Sequence, residues 1–184
     1  PVIAIEQKTT NRNPRSTVGT VTEVYDFLRL LYARASTAYS QTTGEAMVSY
    51  TDAEILDRIL ETQNGETVAV LAPVVRSRKG HYRELFEGLA KQGYLKVRVD
   101  GEWLDLDRGL KLDRYKTHDI EIVVDRFIAG AVDEKRCLET IQTCMKLGEG
   151  TLMVLDLENG NIRHYSRSLM CPTSGISYPE PEPN

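Results

Sequence analysis

Residues 68–75 read VAVLAPVV, an unbroken apolar run with the turn signal Asn64-Gly65 just before it and the polar stretch RSRKG just after it. Alternating apolar and polar residues would leave one face for water; this run leaves none. It predicts a strand buried on both faces, at the centre of a sheet. The rest of the chain has to be arranged around that strand.

The flanking periodicities supply the other elements. Thr51 is placed to cap a helix and Glu54 to complete a capping box. Ile55, Leu56, Ile59 and Leu60 form the buried stripe that follows. Tyr82, Leu85, Phe86 and Leu89 recur at helical spacing, and Gly93 is placed to stop that helix. In LKVRVD, Leu95, Val97 and Val99 alternate with Lys96, Arg98 and Asp100, which predicts a half-exposed strand. Asp100-Gly101 turns it into EWLDL. Residues 119–127 predict a further strand with Ile120, Ile122 and Val124 on one face. Residues 132–147 predict a helix carrying Leu138, Ile141, Cys144 and Met145 inward, and TLMVLDL and NIRHY close the series as a hairpin about Glu158-Asn159-Gly160. The expected fold class is α+β, a mixed or antiparallel sheet with helices packed on one face, over about residues 50–166.

The ends read differently. Residues 1–5 look like a buried strand with nothing before it to pair with, so the chain is expected to be an excised piece of something larger. Val21, Val24, Tyr25, Leu28, Leu31 and Tyr32 predict an amphipathic helix over about 21–34. Residues 36–50 read as a linker or irregular loop, and the tail CPTSGISYPEPEPN is rich in proline and has no hydrophobic period. Residues 1–49 and 167–184 are therefore assigned to a different structural unit, into which 50–166 is inserted as a compact module.

Composition excludes some classes. No stretch approaches the roughly 20 apolar residues that cross a bilayer. A formal net charge of -4 argues against a non-specific nucleic-acid coat. The 3 cysteines, Cys137, Cys144 and Cys171, are a poor disulfide framework and fit a reducing compartment. The sequence holds no GxxxxGK[ST], GxSxG or HExxH. His81, His118 and His164 lack ligand spacing, and His118 reads as a surface histidine before a strand. Asp105 and Asp107 read as solvated turn acids, and Cys137 and Cys144 as core thiols. Cys171 in CPTSG is half of a zinc knuckle, with Ser174 where a second thiolate would be needed. No catalytic residue and no metal ligand is assigned, and without zinc the tail after Cys171 is expected to be loosely held.

The basic residues carry more information. Arg76, Arg78, Lys79, His81 and Arg83 fall on one loop and the helix start after it, and Lys96 and Arg98 face outward on the next strand. Together they form a candidate partner-binding surface, for an acidic protein face or for nucleic-acid phosphates. A further set, Lys8, Arg12 and Arg15, follows Gln7 in the N-terminal loop.

Four stretches then point one way: IEQKTTNRNPRSTVGTVTEVYDFLRLLYAR, LAPVVRSRKGHYRELFEGLAKQGYLKVRVDGE, HDIEIVVDRF and CPTSGISYPEPEP. In content and order the chain resembles the UvrA family, the A subunits of the bacterial excinuclease ABC. The resemblance implies an α+β module inserted in an ABC-type ATPase host. It implies that residues 50–166 form a UvrB-binding domain, that 1–49 belong to the first ATPase and signature region, and that 167–184 return to the host. It also implies a cytoplasmic DNA-damage sensor of nucleotide excision repair, dimeric, binding DNA, ATP and zinc. Gln7 resembles the Q-loop glutamine of the first ATPase site, a role that depends on a core this sequence lacks, so no ATP hydrolysis is expected of this chain. The family has a cysteine pair where Ser40 and Thr43 stand here, and CPxCG where this chain has Ser174, so zinc is not expected in this segment. The partner implied is UvrB; the alternative is direct DNA contact by the same basic surface.

Overall fold

The computed structural model describes residues 18–22, 24–62, 65–107 and 109–178. Contacts divide the chain into two units, Pro1–Thr37 with Glu180–Asn184, and Ala38–Pro179. The first unit holds α1 (Val18–Val21) and α2 (Val24–Ala35). In α2, Asp26 lies in the first turn and Arg34 in the last, matching the helix dipole. Tyr25, Phe27, Leu31 and Tyr32 are each more than half exposed, so this helix carries an apolar surface that it does not bury.

The second unit is built on six strands: β1 (Thr67–Lys79), β2 (Lys96–Val99), β3 (Glu102–Asp105), β4 (Thr117–Ile128), β5 (Thr151–Asp156) and β6 (Ile162–Ser166). They lie in the order β3-β2-β4-β1-β5-β6, and each neighbouring pair is antiparallel. The apolar run 68–75 lies within β1, between β4 and β5, and Val68, Ala69, Val70 and Leu71 have no exposed surface. The strand extends past the apolar run to Lys79, with register shifts at Val70/Leu71, Pro73/Val75 and Val75/Arg78. Pro73 has no N–H to offer a ladder, and it falls where pairing with β5, which runs from Val68 to Leu71, has ended.

Helices α3 (Asp52–Asp57), α4 (Arg83–Lys91) and α5 (Glu134–Leu147) bury one stripe each. The expected capping box at α3 is formed: the Thr51 hydroxyl accepts from Glu54 N, and the Glu54 carboxylate accepts from Thr51 N at 2.7 Å. A π-helical turn, Arg58–Thr62, carries Ile59 on into the core. Ile55, Ile59, Phe86, Leu89, Ile141, Cys144 and Met145 pack with Val70, Val97, Ile120 and Ile122 into one cluster on one sheet face. A second, smaller cluster, Ala69, Leu71, Met153 and Leu155, with Val123 and Ile162 against it, draws no residue from a helix.

The segment read as a loop is held, and so is the tail as far as Tyr178. Val48 and Met170 form an antiparallel bridge, as do Tyr39 with Ala46 and Met170 with Ser177. Cys171 N donates to Ile176 O at 2.9 Å and Tyr178 N to Leu169 O at 2.8 Å, and Met170 and Cys171 are fully buried. Short bridges and turn bonds hold these residues without any hydrophobic period, so periodicity could not reveal them.

Ile122 sits opposite Ala72 of β1 and Val97 of β2, with no exposed surface. Ile122→Ala should cost about 2–5 kcal/mol of stability in urea denaturation, through lost burial and the cavity left behind. Ile128→Ala, at a half-exposed position of the same strand, should change it by no more than about 0.5 kcal/mol.

Candidate interaction face

Strand alternation sends Val97 and Val99 into the helix-covered core, and Lys96 and Arg98 to the other face of the sheet. On β4 the same alternation puts Asp119 and Glu121 opposite Ile120 and Ile122. Register then brings Arg98 beside Glu121, and their side chains meet at 3.4 Å with only 16% and 9% exposed. Burial raises the Glu121 pKa, against the pull of Arg98. Lys96 pairs with Asp105 of β3 at 2.6 Å.

The bulge in β1 places the next cations. Ser77 lies at φ 48, and its N–H donates to Asp119 Oδ1 at 2.7 Å. Arg76 donates to Gly175 O at 2.8 Å. Together these residues line a cleft of about 580 Å³ on the sheet face that the helices leave free, with Arg76, Arg98, Asp100, Asp119 and Glu121 around Met153, Ile162 and Ile176. His164 lies in it, its Nδ1 buried without a hydrogen-bond partner. Gly175 passes so close that a Cβ there would come within 2.5 Å of that nitrogen, and its φ of 67 also favours glycine.

The basic set is thus divided. Arg76 and Arg98 share the cleft, and Arg78 lines an adjoining hollow with Arg76. Arg83 is drawn onto α4 by Glu87 at 2.8 Å, and its N–H contacts His81 Nδ1 at 3.4 Å. Among the described residues no carboxylate lies within ion-pair reach of Arg78 or Lys79. Gln7, Lys8, Arg12 and Arg15 lie outside the described residues. Sequence reasoning missed the acidic members of the cleft; the alternation HDIEIVV carried the signal for Asp119 and Glu121.

His118 is buried, not a surface histidine. Its Nδ1 is 2.7 Å from Asp100 Oδ2 and its Nε2 2.9 Å from Asp113 O. Both partners are acceptors, so the doubly protonated ring satisfies both contacts. The Asp100 carboxylate, then the Asp113 carbonyl, raise the His118 pKa. Burial pushes the Cys137 thiol up to about 11 and that of Cys144 higher still, as core thiols.

A family model described as the UvrA interaction domain matches residues 50–158. The chain is similar to UvrABC system protein A of Methanothermobacter thermautotrophicus, 46% identical over 187 residues, covering 100% of this chain and 19% of that protein. It is similar to UvrABC system protein A of Thermus thermophilus, 43% identical with the same coverage, and of Mycobacterium tuberculosis, 46% identical over 94% of this chain and 18% of that protein. The chain spans about a fifth of the length of these curated relatives.

The His118 contacts set a pH dependence. A pKa raised above 6.5 contributes stability that is full below that value and is lost as pH rises through the folded pKa. His118→Gln should therefore lower the Tm most at about pH 6 and progressively less toward about pH 9. A gap that widens with rising pH would contradict the imidazolium assignment.

Proposed function

The chain belongs to the UvrA interaction domain family, and from that premise we propose that the free face of its sheet docks UvrB, as the recruiting module of a DNA-damage-recognition subunit of nucleotide excision repair. The observation that carries this reading is the charge pattern of the cleft. Arg76 and Arg98 stand among Asp100, Asp119 and Glu121, over an aliphatic floor of Met153 and Ile162. A nucleic-acid backbone presents phosphates of one sign, and the carboxylates would oppose it. A protein surface can present both signs and an apolar anchor, which suits this cleft. Arg78 and Lys79 extend beside it as exposed cations for acidic residues of the partner. In the longer relatives, ATP binding, DNA contacts and pairing with a second copy would fall to regions beyond this chain, and the cytoplasm is the setting this reading requires.

Titration calorimetry of the chain with UvrB tests the proposal. Charges at a rim act mainly on association rate and salt dependence. R78E/K79E should weaken binding about tenfold, or about 1.4 kcal/mol, and flatten its dependence on salt. Unchanged affinity in that variant would remove these cations from the interface. A strong mobility shift with DNA, lost in K96A/R98A, would favour direct nucleic-acid contact instead.

A further inference from the structure

Two short turns of the second unit face each other. Residues 40–44 read SQTTG and residues 171–175 read CPTSG. They share one plan. In the first, Gly44 N donates to Ser40 O at 2.9 Å and Thr43 N to Ser40 Oγ at 3.3 Å. In the second, Gly175 N donates to Cys171 O at 2.9 Å and Ser174 N to Cys171 Sγ at 3.4 Å. Each closes on a glycine of positive φ, 73 and 67. The first and fourth positions of each turn have the two-residue spacing of paired zinc ligands. Thr43 Oγ1 lies 3.2 Å from Cys171 Sγ. The four side chains therefore gather as the ligands of a zinc knuckle pair would.

Their chemistry does not fit the zinc that the family resemblance implies. Structural zinc takes four ligands drawn from thiolate, imidazole and carboxylate, and this set offers one sulfur and three hydroxyls. Among the described residues no group of three His, Cys, Asp or Glu side chains is arranged to hold a metal. What joins the turns is a carboxylate. Glu45, directly after the first turn, accepts from Thr173 Oγ1 at 3.0 Å and from Cys171 Sγ at 3.6 Å. The Thr173 hydroxyl, then that of Thr43, hold the Glu45 pKa below its ordinary value. Cys171 itself is fully covered, and the Val48–Met170 bridge lies alongside.

We propose that residues 40–45 and 171–174 form a metal-independent clasp, in which Glu45 bridges Cys171 and Thr173 of the opposite turn in place of a zinc ion. Ser174 also lines the cleft, but the inference does not rest on the docking proposal, and its test involves no partner.

Zinc and cobalt titrations of the chain, with thermal melts, test it. The unaltered chain should bind neither ion stoichiometrically, and its Tm should not move on adding a chelator. Glu45→Gln should lower the Tm by several degrees and remain indifferent to chelator. S40C/T43C/S174C should take one ion per chain, with cobalt giving a thiolate charge-transfer band, and its Tm should become chelator-dependent. One zinc held tightly by the unaltered chain would overturn the proposal. So would an unchanged Tm in Glu45→Gln, or a folded triple variant that takes no metal. Where the triple variant does not fold, T43C alone decides: in oxidised glutathione its new thiol should cross-link to Cys171, and failure to do so overturns the facing arrangement of the turns.

Discussion

From Val68 to Leu71 the chain turns no side toward water, and both of its edges are hydrogen-bonded, one to β4 and one to β5. A fully buried Val or Leu side chain contributes about 1.5–3 kcal/mol, so this short stretch fixes where the layers go. Its even-numbered residues meet the helices, and its odd-numbered ones meet the smaller apolar cluster. Where the pairing with β5 ends, β1 continues on β4 alone and its register slips. The loss of one neighbour lets Pro73 be accommodated, and further along Ser77 is left-handed at a register shift against β4. The strand thus changes character at the place where it loses its second neighbour.

The elements with strong periodicity were legible in the sequence: the buried strand, the capped helix at Thr51, the half-exposed LKVRVD and the helix ending near Leu147. So was the α+β class, with its helices on one face. The identity of the basic residues was legible too, but their pairing was not. Arg98 and Glu121 are far apart in sequence and meet only because β2 registers against β4. Lys96 and Asp105 meet through a hairpin that was expected, yet a hairpin alone does not say which side chains on it will touch. His118 looked like a surface residue because its two acceptors, Asp100 and Asp113, come from separate turns. Segments held by isolated bridges, such as Val48 with Met170, leave no repeating trace in the sequence.

The Arg98–Glu121 pair also sets the charge pattern of the cleft. A buried ion pair contributes little net stability, but a partner left alone in it is costly. Each charge therefore pins the other, and the cleft presents a fixed alternation of sign. In the proposed docking role such a surface would discriminate by matching, since a ligand with the wrong pattern places like charges together. The aliphatic floor would add contact area there, and the fixed charges would decide orientation.

The bridge between Val48 and Met170 has a topological consequence. Within the second unit Val48 and Met170 lie side by side, although more than a hundred residues of chain separate them. The chain between those two residues is thus one long closed loop. Closing a flexible loop costs entropy that grows with its length. Here the bridge fixes the separation once, whatever the length in between. The chain between them could be lengthened or shortened without moving the two residues that the bridge holds together.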